Sequence, residues 1–154
     1  MNNISDDLVL RFRTASRKYS DTSVLMHEAI ARKAGLTGTD HKYLGLILQH
    51  EKLTAGEVSK LTGLTKGAVT GLLDRLESKG LVHRKLTKDD RRKVIIIPDL
   101  TNSMKLLQPL FQELQEKTAP VINSFSEEEI SVIERYFQMA TNVMKDFTED
   151  LNKT

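Results

Sequence analysis

The sequence predicts a mainly α-helical fold that carries one small β-hairpin. Three observations predict it. Between residues 54 and 98, two short helical patterns separated by Gly63 lead into two strand-like runs around a charged loop. Apolar residues at three- and four-residue spacing form long stripes near both ends of the chain. Charge is divided between these regions: residues 54–98 carry ten bases and five acids, net +5, and residues 99–154 carry five bases and ten acids, net −5.

Residues 5–33 contain neither Gly nor Pro. Leu8, Phe12, Ala15, Tyr19, Thr22, Met26 and Ala29 step by four and three, and Leu25 and Ile30 widen the stripe. The spacing predicts one helix about 40 Å long at 1.5 Å per residue, closed by Gly35. That length predicts that something beyond a compact unit covers part of the stripe. Thr39 and Asp40 start a second helix, with Tyr43, Leu44, Ile47 and Leu48 on its core side. Thr54, with Glu57 three residues on, has capping-box spacing. It opens a third helix to about Leu61 that buries Val58 and Leu61. Thr65 caps a fourth, which ends at Gly80, where helices often turn left-handed. Val69, Leu72, Leu73 and Leu76 give this fourth helix one apolar face. Thr65, Lys66, Thr70 and Arg75 lie largely elsewhere on it.

Leu81 to Lys85 and the β-branched run Val94 to Ile97 predict two strands. Residues 86–93 between them are too polar to bury. After Pro98, Met104, Leu107, Phe111, Leu114 and Val121 mark a helix. Pro109 is expected to kink it or to begin a new segment, and Pro120 to bend it again. Ser126 and Glu129 form a second capping box. The helix they open carries Ile130, Ile133, Phe137, Ala140, Met144, Phe147 and Leu151 at helical spacing. Two heptad-like stripes at opposite ends predict that they pack together and against a second copy. An intramolecular helical pair is the alternative.

A helix, a glycine-containing turn, a second helix with short polar residues at its start, and then a hairpin make a winged helix-turn-helix. Its basic charge, in a chain of net +2, is the footprint of a duplex-binding element. Thr65, Gly67, Ala68 and Thr70 are short, so this helix can bring its backbone close to the bases of a major groove about 12 Å wide. Lys66 and Thr70 stand out as base or phosphate contacts.

Residues 35–98 resemble the DNA-binding domain of the multiple-antibiotic-resistance regulator (MarR) family. The resemblance is carried by Gly35-Leu36-Thr37 and Asp40, by Leu61-Thr62-Gly63-Leu64, and by the run from Asp74 to Val82. Arg84 and Asp90-Arg91-Arg92 before Val94 complete it. It implies one MarR-like domain over residues 1–154, with a winged helix at about 36–98 and helical dimerisation parts at 5–34 and 100–152. It also implies a homodimeric regulator, read as a repressor, on a pseudo-palindromic operator in double-stranded DNA. The DNA-binding residues are then Thr54, Thr65, Lys66, Gly67, Thr70, Arg75, Arg84, Lys88, Asp90, Arg91, Arg92 and Lys93. Arg75 has two readings, a phosphate contact, which the motif match favours, or a pair with acids of its own domain. By its place in the family's Asp-x-Arg, Arg92 enters the minor groove and Asp90 holds it extended, with Asp89 as rival for that role. The family often has a larger polar residue at Gly71, so fewer direct base contacts and more dependence on DNA shape are expected here. Dimerisation falls to Leu8, Phe12, Tyr19, Ile130, Ile133, Phe137, Met144 and Phe147. The resemblance further implies a small aromatic or anionic effector in a crevice between the dimerisation helices and the winged helix. Met26, Tyr43 and Phe111 are its candidate lining residues, and each also reads as plain core.

Other chemistry finds no support. There is no cysteine, so disulfides and thiol sensing are excluded, and no HExxH or glycine-rich phosphate loop occurs. The histidines, at 27, 41, 50 and 83, lack metal-ligand spacing. No enzyme activity, cofactor or metal is expected. No apolar run approaches the roughly 20 residues that span a bilayer, and residues 1–7 lack signal-peptide character. A cytoplasmic protein without a membrane partner is expected. The competing reading is a helical interaction module whose winged helix binds protein. Such a module has no need of the six bases between Arg84 and Lys93.

Overall fold

The computed structural model describes residues 4–86 and 94–153. The order of elements is α1 (Asp6–Lys33), α2 (Gly38–Ile47), β1 (Leu53–Thr54), α3 (Ala55–Thr62), α4 (Lys66–Ser78), β2 (Val82–Leu86), β3 (Val94–Pro98), α5 (Leu100–Ile122) and α6 (Glu127–Asn152). The chain forms two compact units, residues 1–109 and 110–154. No helix among the described residues is long and apolar enough to cross a membrane.

Local chemistry accounts for the helix ends of the first unit. Ser5 Oγ accepts the Leu8 amide at 3.3 Å and starts α1. Thr54 and Glu57 form the expected capping box: Thr54 Oγ1 accepts the Glu57 amide at 3.2 Å, and Glu57 Oε2 accepts the Thr54 amide at 2.6 Å. Thr65 Oγ1 accepts the Ala68 amide at 3.4 Å at the head of α4. Gly35, Gly63 and Gly80 all have φ near +70°, the left-handed region that glycine enters without steric cost. The start of α2 differs from expectation. The helix begins at Gly38 rather than Thr39, and Thr37 caps it: Thr37 Oγ1 accepts the Asp40 amide at 3.0 Å.

Leu44 and Ile47 of α2, Val58 of α3, and Val69, Leu72, Leu73 and Leu76 of α4 are buried with Leu81, Val82 and Ile96. Leu48 is only half-buried. Leu61 corrects the sequence reading: it is 36% exposed. It sits in the last turn of α3, just before the chain reverses at Gly63, and Val58 one turn earlier takes the core position. The hairpin also gains a strand. β1 pairs antiparallel with β3, Leu53 opposite Ile96, so the sheet runs β1-β3-β2 with Arg84 opposite Ile96 on the other side. α1 contributes one fully buried residue, Ala31, while Leu8, Phe12, Tyr19, Val24 and Leu25 are exposed.

α5 begins where Asp99 Oδ1 accepts the Asn102 amide at 2.8 Å. It continues unbroken through Pro109 and Pro120, so no new segment starts at either. Each proline removes one amide donor and the helix tolerates the loss. In the second unit, Ser126 and Glu129 form the predicted capping box at the head of α6. α6 buries no residue fully; Ile130, Ile133 and Ala140 are half-buried.

One prediction follows from buried charge. Burial, and then the neighbouring His27 whose ring centroid lies 5.7 Å away, holds His41 below its ordinary 6.5. Backbone amides also hold three carboxylates low: the Thr54 amide on Glu57, the Arg84 amide on Glu77 and the Asn102 amide on Asp99. In each case the unfolded chain takes up the proton at a higher pH than the folded chain does. Stability is therefore complete above pH 6.5 and declines as the pH falls, first through His41 and, below about 4.5, through the carboxylates. Urea midpoints across this range should show a His41→Gln variant losing the upper part of the slope. An identical slope in both proteins would contradict the account.

Candidate nucleic-acid interface

α4 is amphipathic in a way that makes a contact surface. Its buried leucines face the core, and its other side presents Lys66, Gly67, Ala68 and Thr70, all exposed. The first turn is narrow because its side chains are short. Thr65 has its hydroxyl engaged in the cap, and the Thr70 hydroxyl donates to the Lys66 carbonyl at 3.0 Å. Both hydroxyl oxygens keep lone pairs, and Lys66 keeps its ammonium. Thr54 is half-buried, and its hydroxyl donates to Glu57 Oε2 at 2.8 Å, so its side chain is occupied in capping α3.

Two arginines assigned to DNA are held by acids of their own unit. Arg75 binds Asp40 of α2: Nε donates to Oδ2 at 2.9 Å and to Oδ1 at 3.2 Å, and Nη2 donates to Oδ1 at 2.7 Å. The acid-pairing reading of Arg75 is thus realised in the structure. Hydrogen bonding to Asp40 raises its already high pKa further. Arg84 of β2 is engaged more completely. Its amide donates to Glu77 Oε1 at 2.8 Å, and Nη1 reaches Glu77 Oε2 at 2.8 Å and Asp74 Oδ1 at 2.7 Å. Nη2 donates to the Thr70 carbonyl at 3.2 Å. Arg84 therefore ties β2 to three successive turns of α4. Behind it, His83 Nε2 lies 2.9 Å from Asp99 Oδ2, linking β2 to the head of α5.

The partners Asp40, Asp74 and Glu77 were not among the expected site residues. Their signal was present in part: Asp74 and Glu77 stand within the most basic segment of the chain, and Asp40 lies outside it. Lys88, Asp90, Arg91, Arg92 and Lys93 lie outside the described residues, as does Asp89.

Met26 and Tyr43 are half-buried in the first unit, and Phe111 is half-buried in the second. A groove of about 780 Å³ in the second unit is lined by Ile122, Ile130, Ile133, Glu134, Phe137, Gln138, Thr141 and Asn142 and includes none of these three. Among the described residues, no group of three or more His, Cys, Asp or Glu could hold a metal ion.

Comparison with known proteins places this arrangement. The MarR family model matches residues 34–93, from the end of α1 to the start of β3. The HTH-type transcriptional regulator YcgE of Bacillus subtilis is 39% identical over 137 residues, 89% of this chain and 88% of that one. The chain belongs to the MarR family. Its winged helix-turn-helix is that of the MarR transcriptional regulators. A MarR family protein from Bacillus stearothermophilus superposes with a TM-score of 0.74 at 26% identity, over 92% of this chain and 99% of that one. FabT of Streptococcus pneumoniae, solved in complex with DNA, shares the fold, with a TM-score of 0.72 at 22% identity over 90% of this chain and 99% of that one.

Proposed function

We propose that the protein is a homodimeric repressor that binds a pseudo-palindromic operator and leaves it when a small effector binds. The observation that carries the DNA-binding part is the exposed first half of α4, with short side chains and Lys66, in a segment of net +5. In this reading α4 enters the major groove and the wing reaches the adjacent minor groove. That FabT, a protein of the same fold, was solved in complex with DNA supports DNA as the partner. Two copies related by a two-fold axis would place the half-sites about one helical turn, roughly 34 Å, apart. All 154 residues serve this one task, residues 36–98 as the DNA-binding part and residues 5–34 and 100–152 as the dimerisation part. The effector is assigned on family resemblance alone, with Met26, Tyr43 and Phe111 as its candidate residues. It would have to bind the DNA-incompetent arrangement better than the competent one.

The wing supplies the test. Arg92 is assigned to the minor groove, about 6 Å wide, which excludes a helix but admits one extended guanidinium. Asp90 is assigned to hold that guanidinium extended and so to reduce the entropy lost on binding. Arg92→Ala is expected to weaken operator binding by about 1–3 kcal/mol and to leave the dimer intact. Asp90→Ala is expected to weaken binding as well, although it removes a negative charge. Titrations of both variants on one operator at one salt concentration check this. Unchanged binding by Arg92→Ala ends the minor-groove assignment, and tighter binding by Asp90→Ala ends the positioning role.

A further inference from the structure

The ion pair between α2 and α4 is lopsided. The Asp40 side chain is 3% exposed and that of Arg75 is 52% exposed. Burying a carboxylate is unfavourable unless its oxygens are satisfied. Here both oxygens accept from one guanidinium, and the residue sits in the first turn of α2, where the helix dipole favours an anion. The acid is therefore a fixed anchor.

The geometry leaves part of the arginine unspent. Nε and one Nη2 hydrogen face Asp40. Nη1 makes no hydrogen bond among the described residues. It lies over Gly71, one turn toward the start of α4, 3.4 Å from where a Cβ on that residue would stand. Gly71 has no side chain to crowd the guanidinium there, and the arginine side chain stays 52% exposed. Thr70 and Lys66, on the exposed side of α4, precede it toward the helix start. A guanidinium is planar, with its donors in a rigid fork, so fixing one edge fixes where the other points. A free arginine would lose rotamer freedom on contact with DNA, whereas this one has lost it on folding.

We infer that Asp40 is a positioning residue for DNA binding: it aims the open edge of the Arg75 guanidinium at a backbone phosphate beside the groove that α4 enters. The inference rests on the proposed DNA-binding function. It makes the two roles of Arg75 one arrangement, in which the intramolecular pair prepares the phosphate contact. It also gives a buried acid 35 residues away in sequence a part in recognition.

The sign of the effect separates this from a charge-only account. Removing an acid near DNA should strengthen binding by bulk electrostatics, whereas loss of the anchor should weaken it. The experiment uses the full chain and a duplex fragment that the wild type selects from genomic DNA, titrated at several salt concentrations. Asp40→Asn and Arg75→Met should each weaken binding about tenfold and lower the slope of log K against log salt by about one phosphate. The double variant should bind no more weakly than Arg75→Met alone. A purely structural Asp40 would lower the urea midpoint of Asp40→Asn and leave the affinity and salt slope of the folded protein unchanged; that result overturns the inference. So do tighter binding by Asp40→Asn and additive losses in the double variant. Should Asp40→Asn fail to fold by circular dichroism, Arg75→Lys decides. It keeps the charge but loses the fork on Asp40, and wild-type affinity in that variant overturns the inference. A wild type that binds no duplex at any salt concentration removes the DNA-binding function itself, before any variant is compared.

Discussion

Leu76→Ala is expected to lower the free energy of unfolding by about 2–5 kcal/mol, a large share of the roughly 5–15 kcal/mol that holds a domain together. Leu76 is fully buried, on the face of α4 that packs on α2, α3 and β2. Shortening it removes apolar contacts and leaves a cavity that the surrounding helices only partly close. Lys66, Thr70 and the Thr65 cap stand on other parts of the helix, so the fraction that remains folded should bind duplex as the wild type does. Urea unfolding followed by circular dichroism measures the loss. A change below about 1 kcal/mol would mean that α4 is not seated as described.

Met144→Asp is expected to convert the proposed dimer to monomers while leaving the single-chain fold in place. Met144 and Phe147 on α6 are 62% and 63% exposed, and Val143 is exposed beside them. In a lone chain, a charge at Met144 meets water and costs little. In an interface between copies it would be buried without a partner, at several kcal/mol per subunit. The same reasoning applies to Leu8 on α1 and, on α6, to Phe137 and the half-buried Ile130 and Ile133. Large apolar side chains repeating along two helices call for a covering surface. Sedimentation at micromolar concentration decides. A wild-type monomer, or a Met144→Asp variant that still sediments as a dimer, contradicts the assignment.

Much of this fold was legible because its signals are local. Thr54, Thr65 and Ser126 each reach an amide three residues on, and Gly35, Gly63 and Gly80 mark three left-handed turns. The apolar face of α4 follows from spacing alone. What escaped the reading depends on distance along the chain or on length. β1 is two residues long, too short to show a period, and exists only through pairing with Ile95 and Ile96. The start of α2 was read one residue late, at Thr39, whereas the helix begins at Gly38 behind the cap that Thr37 supplies. The new segment offered as one outcome at Pro109 does not occur, because α5 forgoes one amide donor at that proline and continues.

The candidate site was legible as a charge pattern and less so as a set of contacts. Lys66, Gly67 and Thr70 occupy the exposed face that spacing predicted. Arg84 matched the family pattern and was assigned to DNA, but its partners Asp74 and Glu77 lie ten and seven residues back on another element. Sequence counts such bases as free charge; the fold uses this one to hold the wing strand on the recognition helix. Asp40 belongs to the matched motif, yet nothing in its neighbourhood along the chain points to Arg75.

The central claim is that the basic winged helix-turn-helix segment binds double-stranded DNA. Titrating the wild-type protein with sheared genomic duplex at low and at high salt tests it most directly. Each phosphate neutralised by a lysine or arginine releases counterions, so the affinity should fall steeply and linearly in log K against log salt, by about 0.9 per contact. Several contacts, and a loss of affinity of orders of magnitude, are the expected result. A protein that binds no duplex at low salt, or one whose binding is indifferent to salt, would contradict the account.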